Sequence, residues 1–366
     1  MPYPVWLLLG EAVALVRSIR QAALPSAVGV ELDRRALVVG LDALAGMEGN
    51  TLSEQQVAEC LEGRLKLPAS QAYLGQEIQN LLKAVRWTED RLRAGDRQLG
   101  PWSLQLLNAQ VLKGLPWDEE NSPGDYRSAR QHSAQGGAPA ADIGYLVERL
   151  CDWLKADRFT PDHAEEAHAF GFVRAMIAQL YLLWIRPFTE GNVRTAWLVS
   201  GQLLLEAGLP VLAVHRLMAH MGRARNAWMR EIATAGSGHG DPLPFIAFMA
   251  RNLTEALRAL AGEVEEAQQR AILSGHLHQL FTADRSANGV RRMKLLMALN
   301  ERAEAVPPGR LTHLSPELAS TYARLNRKTL LRDVQHLEEQ GLLERQAEGF
   351  RPVEAPLRSF KALVAD

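Results

Sequence analysis

The segment Trp184-Ile185-Arg186-Pro187-Phe188-Thr189-Glu190-Gly191-Asn192-Val193-Arg194 stands between two apolar stretches with helical spacing. Proline disfavours helical geometry in the residue before it, so the first helix, expected from about His163, ends at Ile185. The second is expected to start near Asn192 and run to Gly208, with Pro210 just beyond. A helix N-terminus offers unpaired backbone N–H groups and the positive end of its dipole, which together favour phosphate. Asn192 is placed to cap this helix or to donate to a ligand. Arg194, on the first turn, is placed to hold a phosphate bidentately, and Glu190 to face a magnesium ion that a nucleotide brings. A plainer reading is a helix-loop-helix corner, with Asn192 as N-cap and Arg194 solvated.

The chain has 366 residues, enough for two domains with cores of their own. Hydrophobic residues make up 47% and charged residues 23%, which excludes wholesale disorder. The net charge is -1, so a nucleic-acid surface would have to be a local patch. Cys60 and Cys151 are the two cysteines; they form no disulfide framework or zinc spacing and fit a reducing, cytoplasmic compartment. The apolar run Val5–Val16 contains Glu11 and has no basic residue before it, unlike a signal peptide. The run Ala169–Ile185 contains Arg174 and Gln179, and is expected as a buried helix rather than a membrane span.

Apolar residues recur at helical spacing over most of the chain, as in Leu146, Leu150, Trp153 and Leu154. Breaks are expected at Gly49-Asn50, Gly100-Pro101, Gly114 and Ser122-Pro123-Gly124, with Thr51-Leu52-Ser53-Glu54 opening a helix in capping-box form. Ser133–Ala141 is too rich in Gly and Ala for helix and is expected as a loop or short hairpin. The helical pattern continues to about Ser274, and Thr282–Gly289 has the composition of a linker. No P-loop, nucleophile elbow or internal repeat is present in the sequence.

The central segment resembles the motif of the Fic (Fido) family, His-Pro-Phe-x-Asp/Glu-Gly-Asn-Gly-Arg-x-x-Arg. Pro187, Phe188, Glu190, Gly191, Asn192 and Arg194 match it. Met47-Glu48-Gly49-Asn50-Thr51-Leu52 is similar to the Glu-Gly-Asn segment of many family members, and Pro123-Gly124-Asp125-Tyr126-Arg127 to their Pro-Gly-x-Tyr-Arg element. Gly136–Asp142 stands where the substrate-docking flap would be, and Asp241–Ile246 resembles the start of a late helix. The resemblance covers roughly residues 1–275. It implies an all-helical fold and transfer of AMP from ATP to a protein hydroxyl, with ATP or another nucleotide and Mg as cofactors. It makes Glu190 the metal-binding acid and Gly191, Asn192 and Arg194 the phosphate cradle.

Three positions depart from that motif. The family's general base is His, and Arg186 stands there; a guanidinium protonated to above pH 12 accepts no hydroxyl proton at neutral pH. The second Gly is Val193, and the final Arg, which holds the outer phosphate, is Trp197. Loss of a base alone removes on the order of 10²–10⁴ in rate. The resemblance therefore implies a pseudoenzyme in which Arg186 and Arg194 together favour binding an anion without reacting with it. A salt bridge from Arg186 to Glu48 is the structural alternative. In family members with an inhibitory Ser/Thr-x-x-x-Glu-Gly segment, the Glu pairs with the final Arg; here Leu44 takes the Ser position. Glu48, the regulatory candidate, could instead pair with Arg194 or Arg186, and open and closed pockets are both compatible with the sequence. A rival reading keeps the transferase active, with His168 or the acceptor's own environment supplying the base.

From Val290 the pattern changes. Leu295, Leu296 and Leu299 mark a helix ending before Pro307-Pro308-Gly309, and Leu311-Thr312 reads as a short strand. Ser315-Pro316-Glu317 opens a second helix, with Ser as N-cap and Pro at its first position. A turn near Arg324-Leu325 leads to a third, and two short strands flank Gly349 as a wing. This order resembles the winged helix-turn-helix found at the C-terminus of many bacterial Fic proteins. A recognition helix works through its N-terminal residues, here Asn326, Arg327, Lys328, Thr329 and Arg332, with Arg345 and Arg351 placing the wing on phosphates. Between Arg285 and Arg351 twelve basic residues face eight acidic ones. Winged helices also serve as protein-interaction modules.

The expected architecture is all-α: a Fic-like domain with an N-terminal helical region (residues 1–110) and core (111–275), a linker (276–288) and a winged helix-turn-helix (289–366). The expected function is a DNA-binding regulator with DNA as partner and a nucleotide or other phosphorylated ligand as a candidate. A homodimer is compatible with the sequence.

Overall fold

Local signals set most helix ends in the structure, a computed structural model that describes residues 1–116, 122–128, 136–155, 159–163, 166–237, 240–282, 286–302 and 304–353. The side chains of residues 280, 282 and 327 lie outside that description. The helices are α1 (Tyr3–Gln21), α2 (Ser26–Gly46), α3 (Glu54–Leu61), α4 (Ala72–Arg93), α5 (Pro101–Val111), α6 (Ile143–Leu154) and α7 (Ala167–Ile185). They continue as α8 (Asn192–Glu206), α9 (Val211–Arg223), α10 (Arg225–Ser237), α11 (Leu243–Thr282), α12 (Ala287–Asn300), α13 (Pro316–Ala323) and α14 (Arg327–Glu339). A hairpin of β1 (Leu343–Gln346) and β2 (Gly349–Pro352) follows.

The chain divides into two compact units. The first comprises Met1–Gln21 and Gly29–Ala261, and the second Ala22–Val28 and Gly262–Asp366. The boundary falls inside α11, which runs eight residues past the end expected at Ser274. The expected linker at 276–288 is therefore helical to Thr282 and re-enters helix at Ala287, while residues 283–285 lie outside the described residues.

In the first unit, α7 and α8 pack along each other at the centre. α7 buries Phe172, Met176, Leu180 and Leu183 among others, and α8 buries nearly every residue from Asn192 to Leu204. α7 is long and apolar enough to cross a bilayer, but 61% of its most apolar window is buried inside the fold. α3 starts with a capping box, formed by Ser53 and Gln56 rather than from Thr51. Pro101 occupies the first turn of α5 behind Gly100, where its missing N–H costs nothing. Of the expected Ser133–Ala141 loop, residues 133–135 lie outside the described residues; Gly136–Pro139 is irregular and Ala140–Asp142 forms a 3-10 turn.

The second unit gathers Leu277, Leu295, Leu299, Leu318, Leu337 and Phe350 into its own core. Ser315 caps α13 through the Leu318 amide, with Pro316 next, as the sequence predicts. Leu311-Thr312 is not a strand but part of a 3-10 turn over Pro308–His313. The strand-like partner is Val306, which exchanges both backbone hydrogen bonds with Phe350 at 2.9 Å. Gly349 (φ 154°) lies so close to Val306 that a Cβ there would stand 2.3 Å from its carbonyl carbon. Only glycine fits that approach.

Candidate functional site

The loop between α7 and α8 is held by buried polar side chains. Arg186 ends α7 in a left-handed conformation (φ 48°, ψ 67°), the sole non-glycine with positive φ among the described residues. Pro187 explains the stop, since Arg186 is barred from continuing the helix. Arg127 then clamps the helix end: its Nε donates to the Arg186 carbonyl at 2.8 Å, and its Nη2 donates to both the Ala138 and Ile185 carbonyls. The Arg127 amide donates to Pro187 O and the Ala138 amide to Ile185 O. A cation on the exposed carbonyls of a helix C-terminus is favourable in charge as well as geometry. The Tyr126 ring packs on Phe188 with centroids 5.7 Å apart. The Pro123–Arg127 element and the 136–138 strip are thus fastened to the motif.

Gly191, not Asn192, is the N-cap of α8, with φ 73°. A Cβ at Gly191 would meet Asn108 Nδ2 at 3.0 Å and Leu112 Cδ2 at 3.1 Å. Asn192 is the first helical residue, and its side chain turns back on the loop: Oδ1 accepts from the Phe188 amide at 3.0 Å and Nδ2 donates to Phe188 O at 2.7 Å. Asn108 donates to the Glu190 carbonyl at 2.9 Å and accepts from Gly124 N at 2.9 Å, joining α5 to both segments.

Arg194 is buried, at 4% exposure, so the solvated reading is overturned. Its Nε pairs with Glu48 and its Nη1 with Glu77 of α4. The second Glu48 oxygen accepts from the Val193 amide at 3.2 Å, at the very N-terminus that would face a phosphate. Asn50 holds Glu77 in place at 2.6 Å, and Arg225 holds the Met47 carbonyl at 3.0 Å. A buried guanidinium between two carboxylates is compensated, which is the condition for tolerating charge in such a place. The closed pocket is the arrangement adopted.

The Arg186 guanidinium is half-buried and makes no hydrogen bond or ion pair with the described residues; the expected alternative of a bridge to Glu48 is not formed. Burial lowers its pKa; the Glu48 charge opposes this and the Arg127 charge adds to it. Glu190 is exposed, and its carboxyl is pushed above the usual range by desolvation and by Glu48, with Arg194 opposing. Trp197 is 1% exposed, with its ring 5.7 Å from that of Trp228. It is a core residue, one helical turn from the cradle. His168 bonds the Ala207 carbonyl near the start of α7. Eighteen residues of helix separate it from Arg186, about 27 Å at 1.5 Å per residue, so it cannot serve as the base. His163 lies in an exposed loop before α7.

These residues do not fit a magnesium-bound nucleoside triphosphate as folded. The Val193 amide and Arg194, two of the groups that would meet phosphate, are already occupied by carboxylates. Among the described residues no group of three or more His, Cys, Asp or Glu side chains is arranged to hold a metal.

In the second unit, Asn326 is the N-cap of α14, its Oδ1 accepting from the Lys328 amide at 3.0 Å. Lys328 and Arg332 are exposed and Thr329 is half-buried; the Arg327 side chain lies outside the described residues. Arg345 is exposed on β1, 5.9 Å from the Phe350 ring, while Arg351 is half-buried and stands across the hairpin from Glu344. Asp333, 1% exposed, takes hydrogen bonds from Arg291 at 2.6 and 3.0 Å, from Arg292 at 3.0 Å and from the Tyr322 hydroxyl at 3.1 Å. Two of the twelve basic residues thus share one buried carboxylate.

Glu77, Asn108 and Asn50 were given no role by the sequence reading. A signal for the first two existed, since each interrupts an apolar helical stripe: Leu74, Ile78 and Leu81 around Glu77, and Leu104, Leu107 and Val111 around Asn108. A polar residue at such a position requires a buried partner.

No protein-family model matches the chain. It is similar to protein adenylyltransferase Fic of Nematostella vectensis, 25% identical over 206 residues, which cover 56% of this chain and 44% of that protein. It is also similar to the protein of the same name from Culex quinquefasciatus, 24% identical over 220 residues, covering 60% and 40% respectively. These matches span less than half the length of the relatives. Among solved structures, a Fic family protein from Desulfovibrio desulfuricans G20 superposes with a TM-score of 0.58 at 19% identity, over 98% of both chains. Fic-1 of C. elegans gives 0.59 at 20% identity, over 71% of this chain and 73% of that one. The chain has an all-α, Fic-like fold and carries a Fic-type domain.

Proposed function

We propose that this protein is a DNA-binding regulator whose Fic-type domain is a pseudoenzyme that keeps its own phosphate cradle closed. The observation that carries the reading is the clamp on Arg194. Glu48 and Glu77 satisfy the one motif arginine, Glu48 also takes the Val193 amide, and a permanent cation, Arg186, stands where a proton acceptor is required. A nucleotide or other phosphorylated ligand reaches this cradle only by displacing Glu48, and Arg186 is the cation left to receive it.

The DNA-binding part rests on the second unit. Its order of α12, α13, α14 and the hairpin supports a winged helix-turn-helix, with exposed Lys328 and Arg332 on α14 and Arg345 on the hairpin. The same reading assigns the protein to the cytoplasm, with DNA as its partner and a homodimer as the form that would match a two-fold site. A mobility-shift assay on DNA around its own gene tests it. Binding that weakens as salt rises is expected, because each phosphate contact releases a counterion; no shift at low salt refutes it.

A second reading, an active AMP transferase on protein hydroxyls with a non-standard base, is favoured by the names of the relatives. Incubation with labelled ATP and magnesium separates the two: the pseudoenzyme transfers no label, and transfer by the unsubstituted protein overturns it.

A further inference from the structure

Helix α14 carries a face that neither packing nor capping explains. Asp333, Val334 and Leu337 point into the second unit, and Leu330 packs against its core. On the other side Lys328, Leu331, Arg332 and Gln335 are exposed at positions i, i+3, i+4 and i+7, which makes them one continuous stripe. Leu331 is 57% exposed. It is flanked by Lys328 and Arg332 rather than by further apolar residues, so it does not belong to an apolar protein-docking patch.

Charge identifies the occupant. Lys328 and Arg332 lie toward the positive end of the α14 dipole, with exposed Arg324 in the turn before it. The one acid in that half of the helix, Asp333, is buried and paired, while Glu338 and Glu339 stand at the far end. The Lys328 and Arg332 side chains make no hydrogen bond or ion pair with the described residues. Gln335 bonds Glu339 at 3.0 Å on the surface, a contact that exchanges readily with solvent. Asn326 and Thr329 are withdrawn from this stripe, the first by capping and the second by partial burial.

We infer that this stripe is the base-reading edge of the protein, with Leu331 seated on a thymine methyl in the major groove. The inference rests on the DNA-binding reading and adds to it the residues that set specificity. An apolar side chain recognises the C5 methyl of thymine, arginine pairs bidentately with guanine, and glutamine pairs with adenine. Arg332 therefore reads a guanine beside the thymine. Gln335 lies about 6 Å beyond Leu331 along the helix axis, nearly two base-pair steps, and reads an adenine there.

The test uses the full chain. Binding sites are selected from a random DNA duplex library, and each thymine of the recovered motif is replaced by uracil, which removes only the methyl. One such replacement is expected to weaken binding about fourfold, the factor carried by burying a single methyl-sized group. The same replacement leaves the affinity of Leu331→Ala unchanged, and Gln335→Ala loses its preference for adenine at one position. Leu331 is exposed, so its truncation leaves the thermal melt in place. A motif indifferent to every uracil, an unaltered methyl dependence in Leu331→Ala, or binding without sequence preference overturns the inference and leaves DNA binding standing. Absence of any binding at low salt overturns both.

Discussion

Glu48 and Arg194 lie 146 residues apart in the chain and meet as a part-buried ion pair at the start of α8. The pairing occupies the motif arginine and, through the Val193 amide, the helix N-terminus as well. A carboxylate thus sits where the sequence motif would present a phosphate. Glu77 on the other side makes the arrangement a clamp.

The clamp predicts an asymmetry between its members. Arg194→Met leaves the buried Glu77 and part-buried Glu48 carboxylates facing each other and is expected to cost about 3–5 kcal/mol, the usual result of deleting one partner from a buried pair such as Arg194–Glu77. Glu77→Gln keeps the Asn50 contact and leaves Glu48 to balance the guanidinium, so a loss of about 1 kcal/mol is expected. Urea denaturation of the two variants measures the difference. Equal losses would show that the two acids do not share the arginine.

Trp197→Arg, which restores the family's residue at that position, is expected to unfold the first unit rather than rebuild a phosphate site. Truncating a buried aromatic costs about 3–5 kcal/mol, and an unpaired buried guanidinium adds to that. Trp197 sits against Trp228, whose indole donates to Gln179 at 3.3 Å, and Gln179 in turn donates to Ser200 at 3.1 Å. A circular-dichroism melt reads the outcome; a variant as stable as the parent would contradict this packing.

Acid should weaken the first unit through His215. The residue is buried beneath Gly40 with Nδ1 unpartnered among the described residues, and desolvation lowers its pKa from 6.5 to about 4. Because the folded pKa lies below the unfolded one, the unfolded chain binds the extra proton between those values. Stability from this residue is therefore complete above about pH 6.5 and falls as pH drops toward 4, by about 3 kcal/mol in total. Chemical denaturation between pH 4 and 7 is expected to show a slope that His215→Leu lacks.

Gly349→Ala is expected to detach the hairpin from Val306. The new Cβ would collide with backbone, which cannot rotate away as a side chain can, and φ 154° is a region that L residues avoid. Loss of cooperative unfolding in the second unit is the expected result by hydrogen exchange and, if the proposed DNA binding holds, a weaker mobility shift. Unchanged amide protection at Phe350 and Val306 would contradict it.

Much of the local architecture was legible from residue order. Pro187 ended α7 at Ile185, Ser315-Pro316 opened α13, and Gly349 marked the hairpin, because each of these effects acts within a few bonds. The strand expected at Leu311-Thr312 failed because Pro307-Pro308-Gly309 favours a tight turn, and the edge pairing fell to Val306 instead. The helix expected to end at about Ser274 runs on to Thr282 because that stretch contains no helix-breaking proline.

The sequence by itself determined the helices, their caps and the absence of a proton acceptor at position 186, since backbone restriction and side-chain chemistry travel with the residue. Whether Arg194 faced solvent, a phosphate or an acid was decided only by tertiary structure. Its partners lie 117 and 146 residues away, and the crossing of α4 and the Met47–Asn50 turn over α8 is what brings them within reach.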